Sequence, residues 1–378
     1  MSTSTDADLA APVAIPMDVA GRLGRLRQQI PGAEADALLI TALPNIRYLT
    51  GFTGSAGLLL VTAGQALLTT DGRYRTQAAE QLQSAGVADA VELVIGGVQT
   101  QRQALVGLAV PYKRIGLEAE HISWAAQRRW ADTLSANQLI PTAGVVEGLR
   151  QRKDAGEVAR MTRAAAIADA ALGEVLALLG QGATEETVAL ALDSAMRRLG
   201  AEDRAFETIV ASGPNAAKPH ARPSGRRIAS GDLVVIDFGA QFDGYRSDMT
   251  RTFCVGGRAD GQIARMLQVV AEAQAAGVAA VHAGASAGDV DLACRSRIAE
   301  AGWAEAFEHG TGHGVGLDIH EAPSVGPGST AILEPGTAVT VEPGVYLAGI
   351  GGVRIEDTLV VTDDGCTPLT RFTKETAA

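Results

Sequence analysis

Short apolar runs punctuated by turn residues open the chain, and longer stretches with helical periodicity follow them. From Asp36 to Gln77 the segments ALLIT, NIRYLTGFTGS, GLLLVT and QALLTT read as short strands and turns, and DGRY leads into a helix. Helices are expected at Arg73–Ser84 and Trp124–Ala136, with strands at Ala90–Ile95 and Arg114–Glu118 between them, so this part reads as an α/β domain. Charge density then rises in EGLRQRKDAGE, and a long amphipathic helix follows, running to about Leu179 and stopping at Gly180. Thr184 and Gly200 suit the cap and stop of a second helix. Two more helices are expected at Asp260–His282 and Asp289–Ala301, and paired strands follow each helix pair. The C-terminal part therefore reads as a duplicated α+β unit, a plan that builds a site where its halves meet. The expected division is a disordered leader over 1–17, an N-terminal domain over 18–146 and a C-terminal domain over 147–378.

Composition narrows the class. A chain of 378 residues exceeds the size at which one core usually keeps growing, so two domains are expected. Apolar runs such as Ala56–Val61 and Val175–Leu179 fall far short of the roughly 20 residues that span a bilayer, and no membrane span is expected. The start of the chain carries Asp6 and Asp8 but no Lys or Arg before Met17, unlike a secretory or transit signal. Cys254, Cys294 and Cys366 have no CxxC spacing, which points away from disulfides and thiolate zinc and towards a reducing cytoplasm. A net charge of −11 offers no basic stripe for nucleic acid.

Candidate chemistry is concentrated in the C-terminal third. In LVVIDFGAQFDGYRSDMTRTF, two strand patterns flank a hairpin loop read as Gln241–Gly244. If Ala240 pairs with Tyr245, Asp237 falls directly opposite Asp248, and two carboxylates so placed repel unless a proton or cation joins them. Ion pairs with Arg246 and Arg251 are the plainer alternative. In VTVEPGVYLAGIGGVRIEDTLVV, Glu342 and Glu356 lie symmetrically about Gly349, so a loop there sets them opposite each other, with Pro343 breaking the ladder beside Glu342. Both pairs sit among strand-like apolar residues, where acids need a reason. Between the hairpins, the alternating glycines of HGTGHGVG exclude a helix, so His309 and His313 belong to an extended segment whose backbone can approach a ligand closely. Four carboxylates and one imidazole make a hard donor set that suits Mn²⁺, with Co²⁺ and Zn²⁺ as alternatives. His121 and His282, far from these motifs, are read as structural or surface residues.

VVIDFGAQFDGYRSDMTRTF, HGTGHGVGLDIHE, VEPGVY and GVRIED, in that order, resemble the metal motifs of the pita-bread metallopeptidases, and among them the Xaa-Pro peptidases. SGPNAAKPHARP resembles the segment that carries a substrate histidine, and NIRYLTGFTGSAG and LLTTDGRYRTQA resemble the N-terminal domain of small bacterial members. The resemblance implies an α/β N-terminal domain before an α+β pita-bread catalytic domain like those of creatinase and methionine aminopeptidase. It makes Asp237 a ligand of one metal ion and His313 of the other, with Asp248 and Glu356 bridging them. Glu342 completes the set and serves as the base. It puts His220, His309 and His320 on the substrate and lets Arg354 orient the peptide or brace the site; an ion pair of Arg354 with Glu356 or Asp357 is the alternative. Gly314 and Val315 stand where relatives are often bulkier, which leaves the shape of the pocket open. The implied activity is removal of an N-terminal residue ahead of proline from short peptides by a water activated between two metal ions, in a cytoplasmic homodimer. A prolidase restricted to dipeptides is the alternative within the class. A noncatalytic binding module and creatinase-like, metal-free hydrolysis are both disfavoured by the complete ligand set.

Overall fold

The computed structural model describes residues 13–256, 259 and 261–375, so the expected leader lies outside the described residues as far as residue 12. The chain divides into two compact units, Met17–Arg150 and, together, Met1–Pro16 and Gln151–Ala378.

In the first unit, six strands form one mixed sheet: β1 (Ala37–Ile40), β2 (Leu58–Thr62), β3 (Ala66–Thr70), β4 (Glu92–Ile95), β5 (Arg114–Glu118) and β6 (Gln138–Thr142) lie in the order β4-β3-β2-β1-β5-β6. β1 is antiparallel to β2 and parallel to β5. The unit's helices are α1 (Val19–Gln29), α2 (Leu43–Thr50), α3 (Arg75–Ser84), α4 (Val98–Ala109), α5 (Trp124–Thr133) and α6 (Val145–Arg150). Helix α2 corrects the reading of NIRYLT as strand and turn. Pro44 in its first turn and Gly51 in the left-handed cap delimit it, and it buries Ile46, Tyr48 and Leu49 on one face. β-formers at helical spacing are what misled the sequence reading.

The second unit repeats a plan of two helices followed by strands. Helices α7 (Ala155–Val175) and α8 (Glu185–Arg198) precede β7 (Asp203–Arg204), β8 (Ile209–Ser212), β9 (Leu233–Phe238), β10 (Ala240–Phe242), β11 (Tyr245–Arg246) and β12 (Met249–Cys254). Helices α9 (Gly261–Ala280) and α10 (Ala287–Glu300) precede β13 (Gly312–Gly314), β14 (Glu321–Val325), β15 (Ala338–Val341), β16 (Gly344–Leu347), β17 (Gly351–Arg354), β18 (Asp357–Thr362) and β19 (Gly365–Pro368). Each half has its own apolar core, one centred on α7, α8, β9 and β12 and the other on α9, α10, β15 and β18.

Asp154 and Glu157 form a reciprocal capping box that starts α7. The segment Ala155–Gln181 is in fact long and apolar enough, by length and composition, to cross a membrane, where the sequence reading expected none. Its residues Ala164, Ile167, Ala168, Ala171 and Leu172 are wholly buried in the first of these cores, as befits a core helix.

The halves meet along β12 and the β17–β18 strands. Thr252 Oγ1 donates to the Arg354 carbonyl at 2.8 Å and accepts its N–H at 3.1 Å, while Glu356 N–H donates to the Thr250 carbonyl at 3.1 Å. β13 is squeezed between β14 and β15. A Cβ on Gly312 would lie 2.1 Å from the Thr340 carbonyl oxygen, and one on Gly314 2.2 Å from that of Ala322. The glycines of HGTGHGVG thus serve the approach of neighbouring strands. We expect Gly312→Ala to force these backbones apart at a cost of about 1–3 kcal/mol, read as a lowered Tm. An unchanged Tm would show that the strand can move aside freely.

Candidate metal centre

Both acidic hairpins change sheets in mid-course, and the acids sit at or beside the break. In the first, Asp243 (φ 45°) and Gly244 (φ 76°) form a two-residue turn of I′ character closed by the pair Phe242–Tyr245. The expected four-residue loop was therefore two residues too long. Thr250, not Asp248, lies opposite Asp237. Because side chains alternate with period two, a slip of two leaves both aspartates on one face as diagonal neighbours. In the second hairpin the expected register holds: Gly344 pairs with Arg354 and Val341 with Asp357, so Glu342 and Glu356 flank the break on opposite strands.

His313 projects from β13 into the same place. Asp237, Asp248, His313, Glu342, Glu356, Arg354, His220, His309 and His320 all line one cavity of about 310 Å³, with Phe206, Ile209, Pro219 and Ile319 supplying apolar wall. His121 and His282 are exposed and lie elsewhere. Gly314 and Val315 are not among the described lining residues, and Val315 is fully buried, so their small size does not shape this cavity.

The electrostatics of the cluster call for a cation. His313 Nδ1 donates to the Gly314 carbonyl at 2.9 Å, and burial drives the imidazole pKa down to about 4, so Nε2 presents a lone pair. That lone pair faces Glu342 Oε1 at 3.4 Å and Asp248 Oδ2 at 3.6 Å. Donor atoms of Asp248, His313 and Glu356 lie within 4.8 Å of one another. Asp237 Oδ1, Asp248 Oδ1 and Glu356 Oε1 are buried with no hydrogen-bond partner. Burial, and then the neighbouring carboxylates, push Asp248 and Glu356 far above the usual carboxylate range. Burial also raises Glu342 to about 8, against the pull of Arg354. Unpartnered carboxylate oxygens converging on a neutral imidazole fit a hard divalent cation.

Neither Arg246 nor Arg251 neutralises the aspartates, as the plainer sequence reading allowed. Arg246 donates to the Leu317 carbonyl at 3.1 Å, and Arg251 pairs with Asp357 at 2.8 Å. Arg354 instead pairs with Asp237, and not with Glu356 or Asp357. Its Nη2 lies 2.5 Å from Asp237 Oδ2, Nη1 donates to the Tyr346 hydroxyl at 2.7 Å, and Nε donates to Thr250 Oγ1 at 3.1 Å.

Three partners were missed in the sequence. Tyr346 stands between Arg354 and His309 Nε2, 2.9 Å away; His309 Nδ1 donates to the Gly310 carbonyl, so the tyrosine hydroxyl donates to Nε2. Thr250 Oγ1 donates to Glu356 Oε2 at 2.7 Å, and Thr340 Oγ1 to Glu342 Oε1 at 3.2 Å. Only Tyr346 carried a signal, as the aromatic closing VEPGVY.

Residues 159–363 match metallopeptidase family M24, and residues 22–152 match the creatinase/prolidase N-terminal domain. The chain belongs to metallopeptidase family M24. It is 40% identical to the uncharacterized peptidase YqhT of Bacillus subtilis over 94% of this chain and 99% of that protein. The Xaa-Pro dipeptidase structure from Bacillus anthracis superposes with a TM-score of 0.90 at 38% identity, covering 95% of this chain and 99% of that one. The X-Pro aminopeptidase structure from Thermotoga maritima gives 0.84 at 34%, covering 94% and 100%. The fold of this M24 member is thus the expected pita-bread architecture with a creatinase-type N-terminal domain, and its family works with divalent metal ions.

Because Glu342 holds its proton up to about pH 8 in the metal-free protein, a cation entering at pH 7 must expel it. Mn²⁺ binding at pH 7 is expected to release at least about one proton per chain, and fewer at pH 9, where Glu342 is already ionised. Calorimetric titration in buffers of different ionisation enthalpy measures this. Glu342→Gln should lower the count by about one, and binding without proton release at pH 7 would refute the protonated carboxyl.

Proposed function

We propose that this metallopeptidase is an exopeptidase that hydrolyses the Xaa-Pro bond at the N-terminus of short peptides, in the manner of aminopeptidase P. One observation carries the reading: buried, unpartnered carboxylate oxygens converge with a neutral imidazole in a cavity that also has an apolar wall. Asp237, Asp248, His313, Glu342 and Glu356 would hold two divalent ions, and the oxygen-rich donor set favours Mn²⁺. Such ions, when bound, polarise a carbonyl and lower the pKa of water.

The chain's own groups do the rest. Glu342 takes the proton of the attacking water at an Oε atom and passes it to the departing proline nitrogen, which lacks an N–H of its own in the peptide. His309 is held neutral, with burial lowering it to about 4, and is fixed by Gly310 and Tyr346 for contact with the substrate. His220 and His320, both exposed to the cavity, are assigned to the peptide carbonyl and the developing negative charge. Arg354 keeps Asp237 in place. Phe206, Ile209 and Ile319 offer the apolar surface that a proline ring needs. An odd number of cysteines with no CxxC spacing supports a reducing, cytoplasmic setting.

A dipeptidase is the second reading, favoured by the name of the Bacillus anthracis relative. The longer-peptide reading is preferred because Arg354, the one Lys or Arg among the described lining residues, is committed to Asp237 and Tyr346 and is not free to meet a dipeptide's carboxylate.

After Mn²⁺ loading, Ala-Pro-Ala is expected to be cleaved with a higher kcat/KM than Ala-Pro; cleavage of Ala-Pro alone would make the chain a prolidase. Asp248→Asn should lose bound metal and at least about 100-fold in activity. Retention of both would remove Asp248 from the ligand set.

A further inference from the structure

Glu185, the first residue of α8, is fully buried, and its carboxylate takes donors from both ends of one segment. Oε1 accepts Ser212 N–H and Oγ–H, each at 2.7 Å. Oε2 accepts Ser224 N–H at 3.0 Å and Oγ–H at 2.6 Å, and Asn215 Nδ2 donates to both oxygens at 3.1 Å. Burial alone would raise this carboxyl, but the donors of Ser224, Ser212 and Asn215 outweigh it and hold the group below its ordinary range, so it is an anion at neutral pH. Helix capping does not require it, because Thr184 Oγ1 already accepts Thr187 N–H at 3.1 Å.

The clamped segment runs from the end of β8 through the turn Gly213–Ala217 to Ser224 and carries Pro219 and His220 into the cavity. Inside it, the Pro219 carbonyl accepts Arg354 Nη1 at 3.3 Å, which ties the segment to the metal-binding side. His220 itself is exposed at its tip. A buried carboxylate with several donors is a rigid anchor, and losing it leaves those donors unpaired.

We propose that Glu185 is a positioning residue for hydrolysis: it clamps the Ser212–Ser224 segment so that His220 is presented to the substrate. The proposal rests on the assignment of His220 to the substrate pocket made above.

Metal-loaded Glu185→Gln should lose about 10- to 100-fold in kcat/KM on Ala-Pro-Ala with its metal content unchanged. The decisive comparison is made in a His220→Ala background, where the same substitution should cost less than about 3-fold, because partners acting as one unit are not additive. An equal loss in both backgrounds would mean general structural damage and overturn the proposal. Ser224→Ala, which removes one clamp donor, supplies the same comparison should Glu185→Gln fail to fold. If His220→Ala leaves turnover intact, or the parent cleaves no Xaa-Pro peptide, the assignment of His220 or the activity is wrong. The clamp is then judged by the His220 imidazole resonance in ¹³C-histidine-labelled protein. Glu185→Gln or Ser224→Ala should shift or broaden that resonance, and an unmoved signal would refute the clamp.

Discussion

Like charge packed into an apolar junction is the constraint on which the rest of the second unit turns. Asp237, Asp248 and Glu356 are at most 9% exposed and Glu342 is only partly exposed, all close to buried aliphatic residues such as Val235, Ile236, Val341, Val353 and Ile355. Isolated ionised carboxylates in such surroundings neutralise themselves or find a counter-charge. The shifted carboxyls and orphaned oxygens of the cluster are the mark of that constraint, and a cation is the counter-charge that would answer it.

The scaffold meets the constraint by breaking its ladders beside the acids: Asp237 is paired one residue before β9 ends, while Asp248, Glu342 and Glu356 lie between paired strands. Each hairpin changes sheets at the point where its acids lie, and this frees side chains to converge that a continuous ladder would hold in separate rungs. The threonines of β12 and β15 carry the local accounting: Thr250 serves Glu356 and Arg354, Thr252 bonds both backbone groups of Arg354, and Thr340 serves Glu342 and the His313 N–H. A short hydroxyl can join a strand in one half to a side chain of the other without admitting water, which keeps the dielectric low and every charge interaction in the cluster strong.

How much of this was legible in the sequence depended on whether local chemistry fixed the geometry. The second hairpin was read in register because Gly349 lies at the centre of a three-residue loop and glycine marks where the chain reverses. The first was misread by two residues because Asp-Gly closes a tighter turn than a four-residue loop, yet the error left the faces unchanged, and so the pairing of Asp237 with Asp248 on one face survived it. Helix α2 was hidden by its β-forming residues. Arg354's choice of Asp237 over its neighbours in sequence was not legible at all, since Asp237 lies 117 residues away and only the meeting of the two halves brings it near. The same holds for Glu185, whose partners Ser212 and Ser224 surround a turn with no regular period to announce it.

Arg354 also divides the labour within the cluster. It is itself buried, and although burial opposes its charge, Tyr346, Asp237 and Glu342 outweigh that and hold the guanidinium firmly cationic. Among the described residues the one carboxylate it bonds is Asp237, so the fixed positive charge compensates one end of the acid row and leaves Asp248, Glu356 and Glu342 to be matched by something mobile. Protons can do this, as the raised Glu342 indicates, but a proton on a carboxyl quenches the donor that a cation needs. Against three uncompensated carboxylates, one divalent ion would leave net negative charge, whereas two would exceed it by one and leave the cavity with a small positive bias. A peptide carbonyl, or an oxygen acquiring negative charge, is then drawn to the deep end of the cavity, while the apolar side chains of Phe206, Ile209 and Ile319 leave the rest of its wall for groups that carry no charge.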